Sequence, residues 1–312
     1  MAPLPPSTAP RPAVGPAPRS WWRRNQIAIT PWLFLAPGIL FFAIYVLIPV
    51  GQSFNISLYE WDGLGAAEYV GLRNYEEMYW DDAFYTSLRN NVIWLVLYLL
   101  AIPLGLAIAL FLNQTVAGIR IYKSLFFFPF VISQVVVGLV FSWFYDPSFG
   151  LLNVMLGWFG MGPVNVLGDE RWVTYGIIAA GLWPQTAYCM ILYLTGLNAV
   201  DPEQIEAGRL DNAKGFRMLW HIILPQLRPA TFIAFVVTII GALRSFDLIS
   251  IMTAGGPFGE SRVLSFYMFE VALSEYGFRM GYGAAIAVVL FLIMLVFITY
   301  FLWSMYREER GR

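Results

Sequence analysis

The chain has 312 residues, 59% of them hydrophobic and 12% charged, with a formal net charge of -1 and a mean hydropathy of +0.64. A soluble domain carries about 25% charged residues, so this composition needs a second solvent, and lipid supplies it. The near-zero net charge excludes a nucleic-acid binder, which shows a basic surplus. One cysteine, Cys189, excludes an intramolecular disulfide framework, and one histidine, His221, argues against a zinc site.

Residues 1–18 are rich in proline, alanine and serine. They cannot bury a core and open a disordered cytoplasmic tail, taken to residue 24. The basic, aromatic RSWWRRNQ that follows leads into an apolar run, the order of a signal peptide. No charge interrupts Asn25 to Tyr59, however. That run is too long for a signal core and is read as an uncleaved first span near 29–51.

A membrane helix takes roughly 20 mostly apolar residues. Further spans are placed near 91–112, 124–145, 173–195 and 281–303. Another, 230–252, is apolar but holds Arg244 and Asp247. The uncharged 147–168 contains Gly150, Gly157, Gly160, Gly162 and Pro163, and is read as an external helix and loop resting at the interface. The result is an all-α integral membrane protein with six transmembrane helices over 25–306 and a basic tail at 307–312.

With the N-terminus inside, thirteen lysines and arginines fall in cytoplasmic segments and five outside. This is the bias of cytoplasmic loops, and six spans return the C-terminus to the same side. Trp21, Trp22, Trp172, Trp303 and Tyr306 flank the spans, where such rings favour the headgroup level.

The long inner loop, 201–228, is charged and patterned. Asp201 suits a helix cap, Pro202 the first helical position and Glu203 the positive end of the dipole. A helix is expected to about Asn212 or Ala213, a turn at Lys214-Gly215, and a second helix over 216–223 that Pro225 interrupts. From periodicity alone this bracket is either an ordinary amphipathic surface segment or a docking surface for a cytoplasmic partner.

The stretch EAGRLDNAKGFRMLWHIILP resembles the cytoplasmic signature of permease subunits in binding-protein-dependent ABC importers. Glu206, Ala207, Ile222, Leu224 and Pro225 match at the right spacing. Gly208 stands where the family has alanine and Asn212 where it has glycine. Asparagine tolerates the positive φ a turn needs. Gly208 weakens a helix by about 1 kcal/mol relative to alanine, and offers a small surface for close approach. VGLRNYEEMYW, FFFPFVISQVVVGLVFSWFYDPSFGLLN, SFDLISIMTAGGP and FRMGYGAA resemble further blocks of the carbohydrate-uptake subfamily, in order, over roughly 25–305.

The resemblance implies a type I permease fold in the bacterial inner membrane. It also implies a second, related permease, a pair of ATPase subunits that bind ATP and Mg, and an extracytoplasmic solute-binding protein. This chain has no Gly-rich phosphate loop of its own. The segment 201–225 would be the coupling element, with Glu206, Ala207, Gly208, Asp211, Asn212, Ile222, Leu224 and Pro225 forming its ATPase-facing or supporting positions.

Polar groups within lipid are costly and tend to face a cavity or a partner helix. Ser133, Gln134, Gln185, Tyr188, Arg244, Ser245 and Asp247 are therefore the candidate solute-path residues. Arg244 lies about 22 Å up the helix from Pro229. Arg244 and Asp247, three apart, can pair on one face. A self-satisfied pair that stabilises the bundle and a lining of the solute path both remain open. Pro103, Pro129 and Pro184 within spans read as kinks or hinges. Two other classes stand beside the importer reading. A secondary transporter would carry acidic groups at mid-membrane, but every one except Asp247 falls in a loop. A membrane enzyme would need convergent catalytic groups at one depth.

Overall fold

The computed structural model describes residues 21–114, 117–274 and 278–310. The proline-rich tail expected at 1–24 lies outside the described residues up to residue 20, and helix begins at Trp21. The chain divides into two units, Met1–Gln52 and Ser53–Arg312. The first unit is helical: α1 (Trp21–Phe42), a π turn (Ala43–Leu47) and α2 (Ile48–Ile56), which ends in the second unit. The apolar window of this helix is 0% buried.

The second unit opens with a hairpin, β1 (Tyr59–Glu60) and β2 (Glu68–Tyr69), paired antiparallel with Tyr59 opposite Tyr69. Helix α3 (Arg73–Tyr79) follows, then α4 (Asp82–Tyr98) and α5 (Ala101–Leu112) in near continuity. Asp81 caps α4 by accepting from the Ala83 amide at 2.9 Å. Next come α6 (Ile119–Val131), α7 (Gln134–Phe144), the short α8 (Leu151–Trp158) and α9 (Val173–Asn198).

Apolar on every side, α9 packs against α4, α5, α6, α7 and the later helices Arg228–Leu243 and Asp247–Met252, with half of its apolar window buried. Its 26 residues span about 39 Å. Gly105 of α5 lies against its backbone: a β-carbon there would stand 2.6 Å from Cys189 Cβ and 2.7 Å from the Met190 amide nitrogen. Small residues allow such close approach between membrane helices.

The inner loop forms α10 (Pro202–Leu210), α11 (Phe216–Met218), a π turn (Leu219–Ile223) and α12 (Leu224–Gln226). Beyond it lie α13 (Arg228–Leu243), α14 (Asp247–Met252), α15 (Leu264–Leu273) and α16 (Met280–Arg310). Thus the first four residues of the basic tail expected at 307–312 continue α16. Among the described residues, four helical stretches are long and apolar enough to cross a membrane: 25–56, 82–112, 173–198 and 280–307. Two bent pairs, α6 with α7 and 216–226 with α13, raise the number to six if each is one span.

Three expected features differ. The span 124–145 is not straight: α6 and α7 meet at 100°. Ile132 is extended, and Ser133 starts a new helix by accepting from the Val136 amide at 3.4 Å. A serine beyond a helical proline, Pro129, competes for the backbone amides and favours a cap. The span 230–252 stops at Leu243 and restarts at Asp247, a carboxylate suited to a helix N-terminus. Arg244 and Asp247 therefore share no helix face, and no ion pair joins them among the described residues. Finally, Pro225 does not interrupt the second bracket helix, which runs on to Gln226. The proline ring would strike the His221 carbonyl in an α turn, and the preceding π turn widens the helix to admit it.

Candidate functional site

The bracket 201–226 is built by its own caps. Asp201 Oδ1 accepts from the Glu203 amide at 2.9 Å, and the Asp201 amide donates to Gln226 Oε1 at 3.0 Å, tying the start of the bracket to its end. At the far end of α10, Asn212 adopts φ 61°. The Asn212 amide donates to the Arg209 carbonyl at 3.1 Å and the Ala213 amide to the Gly208 carbonyl at 2.8 Å. That pair of bonds is a Schellman termination with asparagine in the left-handed position, so the turn expected of Asn212 forms.

Gly208 faces the other arm of the bracket. It is buried, and a β-carbon there would collide with Ile222 Cδ1 and stand 3.4 Å from Met218 Cε. Its small surface lets the two arms of the bracket close on each other. Ile205 and Ile223 then pack with Leu197, Val200 and Leu227, fixing the closed bracket to the ends of α9 and α13. What faces outward is Glu206, Ala207 and Asp211, all exposed, together with Leu210, 89% exposed. Phe216 and Trp220 stack at 5.8 Å beside them, also exposed. Leu210, Phe216 and Trp220 escaped the sequence reading. Their signal was available: large apolar side chains in a segment whose own core is already filled. Leu224 is half-buried, and Pro225 is exposed at the end of the π turn.

The second region is a cavity of about 320 Å³ among α4, α7, α9, α13 and the break before α14. It brings together five of the seven predicted path residues: Gln134, Gln185, Arg244, Ser245 and Asp247. Gln185 Nε2 donates to Thr238 Oγ1 at 2.8 Å, so it bridges α9 and α13 while lining the space. Gln134 Oε1 is buried with no hydrogen-bond partner among the described residues. Ser245 Oγ donates to the Gly241 carbonyl at 3.1 Å. Arg244 and Asp247 are exposed on its wall. Ser133 and Tyr188 do not join it: Ser133 is spent as the cap of α7, and Tyr188 lies against the Phe130 ring at 5.2 Å. Tyr98, which donates to the Gly181 carbonyl at 3.0 Å, and Phe246 also line it. Tyr98 was legible as the end of a seam Asn90, Asn91, Trp94, Tyr98 at helical spacing.

Residues 101–306 match the family described as binding-protein-dependent transport system inner membrane component. The chain belongs to this family. It is a permease, a multi-pass transport subunit of the bacterial inner membrane and not itself a catalyst. Among its relatives, a probable ABC transporter permease protein of Pyrococcus horikoshii is 35% identical, covering 89% of this chain and 96% of the relative. The alpha-glucoside transport system permease of Rhizobium meliloti is 33% identical over 91% and 83%. The trehalose/maltose transport system permease of Thermococcus litoralis is 31% identical over 85% and 90%. A crystal structure of a bacterial ABC transporter that imports alginate shares the fold, with a TM-score of 0.78 at 22% identity over 92% of this chain and 98% of that one.

At the end of the permease remote from the bracket, polar side chains lock loops to helices. Asn90 Nδ2 donates to the carbonyls of Glu260 and Arg262 at 2.7 and 2.8 Å, and Thr174 Oγ1 to Glu260 at 3.0 Å. Asn91 Oδ1 accepts from the Leu264 amide at 2.8 Å. The hydroxyls of Tyr267 and Tyr282 both donate to Asp81 Oδ2 at 2.5 Å. Burial, and then the bond to Asp81, pushes the Tyr267 hydroxyl well above the ordinary tyrosine range, which keeps it a donor. Arg279, 2.5 Å from Glu77, is raised by that hydrogen bond.

Proposed function

We propose that this permease carries a sugar or sugar-like solute across the membrane by alternating access. The solute is delivered by an extracytoplasmic binding protein, and transport is driven by ATP and Mg on a separate ATPase. A second, related permease completes the path. Relatives named for alpha-glucoside and for trehalose or maltose transport support the solute class. In this reading the chain crosses the bilayer six times, each bent pair counting as one span, with both termini cytoplasmic. The surplus of lysine and arginine in the inner segments supports that orientation.

The observation that carries the coupling role is the bracket. Its core is filled by its own arms, while Glu206, Ala207 and Leu210 are left outward. Among the described residues, none of Glu206, Arg209, Asp211, Lys214 or Arg217 makes an ion pair. A cleft in the ATPase with a basic group for Glu206 and apolar space for Leu210 complements that face. ATP-driven closure then moves the bracket as a rigid piece and biases the spans between two states. In the cavity, Gln134, Gln185 and Asp247 supply acceptors and Arg244 a fork of donors, a set suited to sugar hydroxyls.

The test is co-purification in mild detergent of the wild type and of Glu206→Arg. The wild type is expected to bring an ATPase and a second permease, and the variant to lose the ATPase alone. A wild type that emerges alone and moves trehalose or maltose into liposomes without ATP would overturn the reading in favour of secondary transport.

A further inference from the structure

Two more cavities adjoin the polar one. A groove of about 420 Å³ shares Phe246 with it, and is lined mostly by apolar groups that include Phe269, Met268 and Leu273. A cleft of about 440 Å³ shares Trp61 with that groove and is lined by Asp62, Glu68 and Asn74. The three thus adjoin in the order polar, apolar, polar, with one aromatic residue shared at each junction.

Both junction rings are held in place. Trp61 Nε1 donates to the Gly65 carbonyl at 2.9 Å within the hairpin turn. Phe246 meets Phe269 edge-on at 5.2 Å and Phe266 at 5.9 Å. Phe246 also sits in the break between α13 and α14, outside either helix, and its carbonyl accepts from the Ser250 amide at 2.9 Å. Ser265 Oγ donates to the Ser245 carbonyl at the same junction, tying α15 to the break.

Resting on the sugar reading above, we propose that this row is the entry route of the solute. Trp61 and Phe269 are ring platforms along it, and Phe246 is the partition before the polar cavity. A pyranose has an apolar C–H face and a rim of hydroxyls. It suits a path that alternates aromatic faces with carboxylate and amide groups. A lipid chain suits the middle groove but neither polar end.

The test uses the assembled transporter in right-side-out membrane vesicles. Cys189, the one thiol of the chain, is first replaced by alanine. Trp61→Cys, Phe269→Cys and Phe246→Cys are then made singly, with Val296→Cys as a comparator, since that residue is 69% exposed on α16. Each is treated with sulfonatoethyl methanethiosulfonate, with a glucosyl methanethiosulfonate, and with membrane-permeant N-ethylmaleimide. Co-purification of the ATPase certifies folding.

The two water-soluble reagents are expected to label the three route positions and not Val296→Cys. The glucosyl reagent should react at Phe269→Cys about fivefold faster than the sulfonate, and lose that advantage when Trp61→Ala is added, the worth of one ring contact. Labelling of Phe269→Cys by N-ethylmaleimide alone would show a lipid-filled groove and overturn the proposal. Equal rates for the two soluble reagents would overturn its preference for sugar. Neither result depends on coupling: loss of the ATPase with Glu206→Arg tests the proposed function separately.

Discussion

The two ends of the permease handle charge in opposite ways. At the hairpin end, Arg73 pairs with Glu60, Arg89 with Glu260, Arg262 with Glu270 and Arg279 with Glu77. Asp81 accepts from two tyrosines. In the bracket, five charged side chains stand outward without an ion pair among the described residues, and cohesion comes from Gly208 against Ile222 and from Ile205 and Ile223 in a buried cluster. Four ion pairs and a shared carboxylate cross-link the hairpin end into a frame, whereas apolar packing holds the bracket together.

That contrast breaks most visibly where the bracket's packing is attacked. Gly208→Leu drives a side chain into Ile222 and Met218. Overpacking of this kind costs about 1–3 kcal/mol, and forcing the arms apart displaces Glu206 and Leu210 on α10 from Phe216 and Trp220 on the other arm. As a coupling energy, that is about a 5–150-fold loss. ATP-driven uptake in proteoliposomes should fall accordingly, while hydrogen exchange at the hairpin end stays unchanged. A variant with normal uptake would mean that the bracket tolerates an open form.

At the opposite end, Tyr267→Phe removes one donor from a carboxylate. Hydrogen bonds to charged groups contribute about 1.5–3 kcal/mol, so thermal unfolding of the purified complex should move down. Tyr282→Phe acts on the same oxygen, and the double variant should therefore cost less than the sum of the two. Simple additivity would show that the two hydroxyls act independently. The ATPase should remain bound in all three.

A smaller effect separates the cap from the docking face. Asn212→Ala places a β-branch-free residue without a local side-chain bond at φ 61°. A left-handed residue other than glycine or asparagine costs about 1–2 kcal/mol. Asn212→Gly should be neutral, since glycine adopts that region freely. Limited proteolysis of the bracket should accelerate for the alanine variant alone. Equal acceleration for glycine would assign the asparagine side chain itself a contact.

Much of this was legible in the sequence because it is governed locally. Asp201, Pro202 and the Asn212 turn follow from capping chemistry that needs no distant partner. The long apolar runs likewise fix 82–112, 173–198 and 280–307 as helices. The breaks were not legible. Ser133 ends one helix and starts another because its hydroxyl competes with the ladder, and hydropathy averages over that. Arg244 and Asp247 looked like an i, i+3 pair only on the assumption that α13 continued. The packing of Gly208 against Ile222 was hidden for a related reason: the sequence records that a small residue is present, not which neighbour occupies the space. Cavity residues were half legible, since a glutamine in a span announces itself, whereas Tyr98 and Phe246 are ordinary until the fold sets them beside it.

The smallest expected effect sharpens what a frame means. Arg73 and Glu60 are 3.3 Å apart, but their side chains are 70% and 66% exposed. Water screens such a pair, and ordering two long side chains costs entropy, so exposed pairs contribute about 0–1 kcal/mol. Arg73→Ala should leave thermal unfolding of the complex within about 0.5 kcal/mol of the wild type. The Arg262–Glu270 pair, at 2.6 Å with side chains 26% and 29% exposed, is held in a drier setting. Removing Glu270 leaves a partly buried guanidinium without its carboxylate, so Glu270→Ala should cost clearly more than Arg73→Ala. Equal losses from the two substitutions would mean that the hairpin end is held by its backbone and tyrosine hydrogen bonds, with its ion pairs contributing nothing beyond solubility.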